Sequence, residues 1–398
     1  MEIRSVTLFA EPDLPPARAA AFFEATRQAF SVPVQTTRLA LPPFPDWWDL
    51  DQSTGPQAQA LARHGHESAA GYVALGPVRL GHDAGWLNLI PEIIAASETL
   101  FLSAEVADQD GHIDLGRTQA VAEIVRRVSA LQNGFGNLYL AATANCGPGI
   151  PFFPVAYHHG GAPYFALALE AADLAVEAVA AASSLEEART LLQTAVEERA
   201  AHLSNTAARL AADHDIPFAG LDFTLAPFPA PGRNLGEALE GLGLANMGSP
   251  GTLFAVAFLA EAIAQADFPR CGFSGLFFPV LEDTILAQRT AESRLSLPDL
   301  LSYAAVCGAG VDLLPLPGDI DVSELTGTLL DVAALALRLD KPLTARLMPL
   351  PGRKPGDLVH FDFPYFAESR VTQLAGGVRG LLARPESIAL ARYHRQQE

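Results

Sequence analysis

The chain is poor in the residues that would tie it to several common classes. It holds three cysteines in 398 residues, Cys146, Cys271 and Cys307. No two form a CxxC pair, and an odd number cannot all pair within the chain, so neither a disulfide framework nor a cysteine metal site is expected. Free thiols in a reducing cytoplasm are expected instead. Basic residues are scarce too: 26 Lys plus Arg stand against 45 Asp plus Glu, a formal net charge of −19. Nucleic-acid binding needs cations concentrated on one face, and no such run exists, which argues against a nucleic-acid partner. Charged residues make up only 18% and hydrophobic ones 49%, a balance unsuited to disorder. Long apolar runs are missing. TLFAVAFLAEAIAQA at 252–266 carries an acid and falls short of the ~20 residues a membrane span needs. The opening MEIRSVTLFAEPDLPP has no basic stretch followed by an apolar one, so it is not read as a signal peptide.

Several catalytic signatures are absent as well. No GxGxxG follows a strand; Gly134-Phe135-Gly136 and Gly241-Leu242-Gly243 lack the third glycine, so no nucleotide cofactor is expected. There is no GxxxxGK[ST] phosphate loop and no HExxH. Cys271-Gly272-Phe273-Ser274-Gly275 has the wrong spacing for a GxSxG nucleophile elbow.

What is present is a regular alternation of short strand-like and longer helix-like runs. The pattern predicts ten strands, at 3–9, 33–39, 71–75, 98–104, 137–143, 164–169, 219–225, 273–280, 311–316 and 343–349. Helices fall between most of them. The longest opens near Ser184, where Ser-Leu-Glu-Glu has the form of an N-cap with acids in the first turn. Such alternation predicts an α/β protein with a mostly parallel sheet. Near-continuous apolar strands imply that both faces of that sheet are covered. No composition break divides the chain, so residues 1–398 are read as a single α/β barrel domain with a helical C-terminal tail.

The informative polar groups sit at or inside those strands, because ligands of parallel sheets gather beyond the carboxyl ends. Asp222 interrupts the apolar strand GLDFTL, and Arg346 lies between Ala345 and Leu347 in another. A buried charge needs a partner, so the two are read either as a structural ion pair or as site residues. Glu282 and Asp283 follow FFPVL. Adjacent acids point different ways, so one is expected at the mouth and the other as a cap for the next helix. Glu105 and Glu170 end strands and also suit the start of a helix. Asn145 and Cys146 follow LAATA, Arg38 ends the second strand, and Asp319 with Asp321 follows LLPLPG. His158, in the glycine-bounded loop AYHHGG, is a candidate proton shuttle.

The stretches GLDFTLAPFP, CGFSGLFFPVLED, AAVCGAGVDLLPLPGD and LTARLMPLPGRKPGD resemble the prokaryotic family called domain of unknown function seven-one-one, over about residues 3 to 372. The resemblance implies a ten-stranded α/β barrel like that of pyruvate formate-lyase and ribonucleotide reductase, with helices outside. Carried over by position, the family's motif acids fall on Asp222, Glu282, Asp283, Asp312 and Asp319, its arginine on Arg346, its glycines on Gly272, Gly275 and Gly318, and a family cysteine on Cys307. Cys271 departs from the pattern. The fold relatives suggest glycyl-radical chemistry, but Arg370-Val371 is followed by Thr372-Gln373 rather than Gly-Tyr, which argues against it.

These readings lead to an expected small-molecule enzyme. Asp222, Glu282, Asp283, Cys146 and His158 are its candidate catalytic residues. Arg38, Asn145, Arg346 and Asp319 are candidates for holding a carboxylate-bearing metabolite. Asp222, Glu282 and Asp319 are the candidate ligands for a divalent cation such as Mg²⁺ or Mn²⁺. A non-catalytic metabolite sensor and a cysteine-dependent enzyme are the alternatives. The Trp47-Trp48 pair in a loop suggests a homodimer contact.

Overall fold

The structure, a computed structural model, describes residues 1–393. The sheet is built from β1 (Glu2–Phe9), β2 (Val34–Ala40), β3 (Tyr72–Val78), β4 (Leu100–Ala107), the short β5 (His112–Asp114), β6 (Leu140–Ala144), β7 (Tyr164–Glu170), β8 (Phe218–Asp222), β9 (Gly310–Pro317) and β10 (Leu343–Leu350). Neighbours run β8-β7-β1-β2-β3-β4-β6-β10-β9, with β5 attached to β4. Helices cover it. The helix Leu185–His214 shows why: the Ser184 side chain caps it, and Leu192, Val196, Ala200, Leu203, Ala207 and Leu210 recur every three or four residues as a buried stripe. Among the described residues no helix is long and apolar enough to cross a membrane.

The strand directions divide the sheet into two blocks. β1, β2, β3, β4 and β6 are parallel to one another. β7 is antiparallel to β1 and carries β8 parallel to itself; β10 is antiparallel to β6 and carries β9 parallel to itself. Each end of the sheet therefore mixes the amino ends of one block with the carboxyl ends of the other. The rule that sites sit at carboxyl ends fails here for that reason.

The expected strand at 273–280 is not formed. That segment makes only isolated parallel bridges, Leu221 to Arg270, Leu225 to Leu276 and Pro279 to Asp312. Positive φ at Gly272 and Ser274 curls the chain, and Pro279 has no N–H to give a ladder. Among the described residues the expected helical tail is not formed either. Residues 372–393 are extended apart from a single turn at Gly380–Ala383 and the strand Ser387–Ala389, which pairs with β5. Gly376, Gly377, Gly380 and Pro385 oppose helix there. The Trp pair is not a surface patch: Trp48 packs on Phe44 within the core, and Trp47 is half-buried and donates to the Pro42 carbonyl. The Trp pair is thereby removed as one basis of the homodimer expectation.

Candidate active site

A cavity of about 110 Å³ opens inside the sheet. The first block contributes Arg4, Thr36, Tyr72 and Phe101 from the amino-terminal parts of β1 to β4, and Arg38 from just past the middle of β2. The second block contributes Leu169 and Asp222 from the carboxyl ends of β7 and β8, and Arg346 from the middle of β10. Glu282 lines it as well.

The charges form a chain across this space. Asp312 and Arg346 are cross-strand partners, and they meet as a fork: Nε donates to Oδ1 at 2.7 Å and Nη2 to Oδ2 at 2.6 Å. Arg346 Nη1 also donates to the Leu138 carbonyl at 3.3 Å, and Nη2 lies 4.0 Å from Glu282 Oε1. Glu282 Oε2 accepts from Arg4 Nη2 at 2.8 Å, while Arg4 Nη1 donates to Glu170 at 2.9 Å. Glu170 in turn accepts from Gln35 at 2.9 Å and from Arg233. Each acid in this chain has a cation, the condition under which a buried carboxylate is tolerated.

Arg38 stands apart. Its Nε donates to Thr36 Oγ1 at 2.9 Å, and its guanidinium lies 5.1 Å from the Phe153 ring centre and 6.0 Å from that of Tyr72. Among the described residues no carboxylate pairs with it and its terminal nitrogens have no hydrogen-bond partner. Burial, with Arg4 nearby, pushes its pKa down to about 9. A cation so placed gains from any anion that enters.

Asp222 is held differently. Its carboxylate accepts from the Thr224 hydroxyl and from the backbone N–H groups of Phe273 at 3.0 Å and Ser274 at 2.8 Å. Gly272, at φ +61°, allows this wrap: a Cβ there would sit 2.2 Å from Asp222 Oδ2. Burial raises the Asp222 carboxyl above its ordinary range, although all three hydrogen bonds favour the charged form.

The profile of the family described as "Uncharacterised ACR (DUF711)" matches residues 16–368. The chain belongs to this family. A UPF0210 protein of Pyrobaculum islandicum is 32% identical over 306 residues, covering 74% of this chain and 67% of that one. One from Pyrobaculum aerophilum is 38% identical over 226 residues, 54% of this chain and 50% of the relative. One from Lacticaseibacillus paracasei is 28% identical over 357 residues, 85% and 79% respectively. These matches thus span from half to about four fifths of the relatives' own lengths. The family supplies no reaction, so the chemistry rests on the residues themselves.

In this member of the family, Arg38, Asp222, Glu282 and Arg346 share one cavity, and the other candidates lie elsewhere. Asp283 is fully buried as the cap of the helix Thr284–Ala291; it accepts from the N–H groups of Ile285, Leu286 and Gly236, and burial raises its pKa to about 6. Asp319 is exposed, and the helix Val322–Leu339 is capped by Asp321 instead. Asn145 donates to Asp340 beside a separate surface pocket. Cys146 packs with Ala141, Ile150 and Val155, where burial pushes its thiol up to about 12; burial takes Cys307 to the same value. Thiols so poorly ionised are weak nucleophiles. His158 is buried, with its Nε2 facing the Ala162 carbonyl, and burial lowers its pKa. It does not line the cavity. Of the three expected cation ligands Asp222 and Glu282 share the cavity, with Glu282 paired to arginine, and Asp319 lies outside it. Among the described residues no three acids, histidines or cysteines form a group able to hold a metal ion.

Arg4 was not singled out from the sequence. The signal was available: it is a charge inside a strand covered on both faces, the same criterion that points to Arg346.

Proposed function

We propose that the chain is an enzyme acting on a small carboxylate-bearing metabolite in the central cavity. The observation that carries this reading is Arg38, a cavity guanidinium without a carboxylate partner. Its two terminal nitrogens match the two oxygens of a carboxylate. Asp222 is the acid–base group: burial favours its protonated form, so it can give a proton to bound substrate and recover it. Glu282 is a positioning residue, because its oxygens face Arg4 and Arg346. No step through a metal ion is required. A reducing cytoplasm suits the free thiols.

We also propose that the segment 270–280 closes the sheet into a ten-stranded ring. In support, its bridges reach β8 at Leu221 at one end of the strand order and β9 at Asp312 at the other, both in parallel sense.

A binding protein without catalysis is the second reading. It is favoured by two observations: both Asp222 oxygens already accept backbone N–H groups, and among the described residues no histidine, cysteine or serine lines the cavity. Incubation with a panel of small carboxylates, read in parallel by thermal shift and mass spectrometry, separates the two. Stabilisation with turnover that Asp222→Asn abolishes supports the enzyme. Stabilisation without product supports the binder. Loss of neither on Arg38→Gln rejects both.

A further inference from the structure

We infer that the occupant of the cavity is a monocarboxylate on a flat apolar body, an aromatic or unsaturated acid of about benzoate size. This rests on the proposal that the cavity binds a carboxylate at Arg38, and it adds what the rest of the ligand must be.

The first argument is the supply of hydrogen-bond donors. Both terminal nitrogens of Arg4 already face acids, Glu170 and Glu282. The Arg346 fork closes on Asp312 and its remaining nitrogen on the Leu138 carbonyl. Gln35 donates to Glu2 and Glu170, and Thr36 donates to the Arg4 carbonyl. Arg38 is thus the one cavity guanidinium open to an anion among the described residues. A second carboxylate on the ligand would face Glu282, with no free guanidinium to meet it.

The second argument is the wall. Tyr72, Phe101, Phe152, Phe153, Phe273 and Phe277 all line the space. Their rings meet edge to face: Phe152 lies at 75° to Phe273 and 78° to Phe277, and Phe153 at 64° to Phe101. Tilted rings offer faces and edges to a further ring in the geometry aromatic pairs prefer.

The third argument is size. At about 110 Å³ the cavity is no larger than the roughly 150 Å³ that takes up one benzene ring, so the apolar body of the ligand is at most a single ring.

Titration calorimetry of the full chain with benzoate, cyclohexanecarboxylate and succinate tests this. Benzoate should bind most tightly, cyclohexanecarboxylate more weakly because its ring is puckered, and succinate not detectably. Arg38→Gln should weaken benzoate by about ten- to a hundredfold, the loss expected for charge-assisted hydrogen bonds. Succinate binding as tightly as benzoate, with the same dependence on Arg38, overturns the ligand class and leaves the carboxylate reading intact. Cyclohexanecarboxylate matching benzoate overturns the requirement for flatness. Binding of none of the three overturns both proposals. The comparison among ligands is made on the unaltered chain, so it stands even where the variant folds poorly.

Discussion

Arg346 and Arg38 line the same cavity, each within a strand of the same sheet, yet the sheet treats them differently. The register of β9 on β10 sets Asp312 opposite Arg346. The register of β2 sets Thr7 on one side of Arg38 and Tyr72 on the other. One guanidinium is thus neutralised by its cross-strand neighbour, and the other is cushioned by an aromatic ring and left with its charge. The identity of the residue on the adjacent strand, rather than the arginine or its own neighbours in sequence, decides which of the two belongs to the architecture and which is open to a ligand.

The sharpest way to break this comparison is to make Arg346 resemble Arg38. Asp312→Ala leaves a buried guanidinium without its acid, and should cost about 3–5 kcal/mol of unfolding free energy. Urea denaturation reads it directly. The paired change Asp312→Leu with Arg346→Met should recover most of the loss, because neither charge then remains. If the single variant lost under about 1 kcal/mol, the pair would behave as an exposed one, and the contrast with Arg38 would be void.

Much of this was legible in the chain, for reasons tied to period. β9 and β10 were readable because strands buried throughout are largely apolar runs bounded by turn residues. Glu282 and Asp283 were readable as a divided pair because adjacent residues on extended chain face apart; the structure turns Glu282 to the cavity and uses Asp283 as a cap. The sites proposed at Asn145 and Cys146 were misplaced by a single hidden fact, the reversal of β7–β10 relative to the first block. Local sequence carries no mark of strand direction, and with the directions mixed the carboxyl end of β6 lies away from the cavity. The segment 273–280 reads as strand because its composition is apolar, while the curl at its start comes from Asp222, about fifty residues upstream, drawing in two backbone N–H groups.

A buried acid with no arginine at hydrogen-bonding distance extends the comparison to the opposite sign. Glu105, near the carboxyl end of β4, accepts the Leu80 N–H at 2.8 Å, and burial raises its pKa to about 7 from 4.5. Below pH 4.5 it is protonated folded or unfolded. As pH rises towards 7 the unfolded chain releases a proton that the folded chain keeps, so stability falls over that window and levels above it. The loss should approach, but not exceed, about 3 kcal/mol. Glu105→Gln keeps the acceptor for Leu80 and should remove this part of the slope between pH 4.5 and 7. Urea midpoints at pH 4.5, 6 and 8 measure it; parallel profiles for the variant and the unaltered chain would contradict the assignment.

Gly272 and Gly275 sharpen the account of the Asp222 wall. Gly272→Ala adds a Cβ 2.2 Å from the carboxylate at φ +61°, which should cost about 1–3 kcal/mol and loosen the Phe273 contact. At Gly275 the nearest atom to a Cβ is 3.6 Å away and φ is not positive. Gly275→Ala should therefore be close to neutral in thermal unfolding. Equal losses at both positions would show that the loop is generally intolerant and that Asp222 does not set its shape.

The smallest expected stability change is the most telling. Arg38→Met removes the charge but keeps much of the apolar stem that lies against Tyr72 and Phe153. Since no carboxylate loses its partner, the empty protein should change by less than about 1 kcal/mol, in either direction. The stabilisation that a carboxylate ligand gives should shrink sharply, because that term scales with RT ln(1 + [L]/Kd) and Kd rises by about ten- to a hundredfold or more. Thermal unfolding with and without ligand separates the two effects in one experiment. A large loss in the empty protein would mean that Arg38 is architectural after all, like Arg346, and the distinction between the two arginines would collapse.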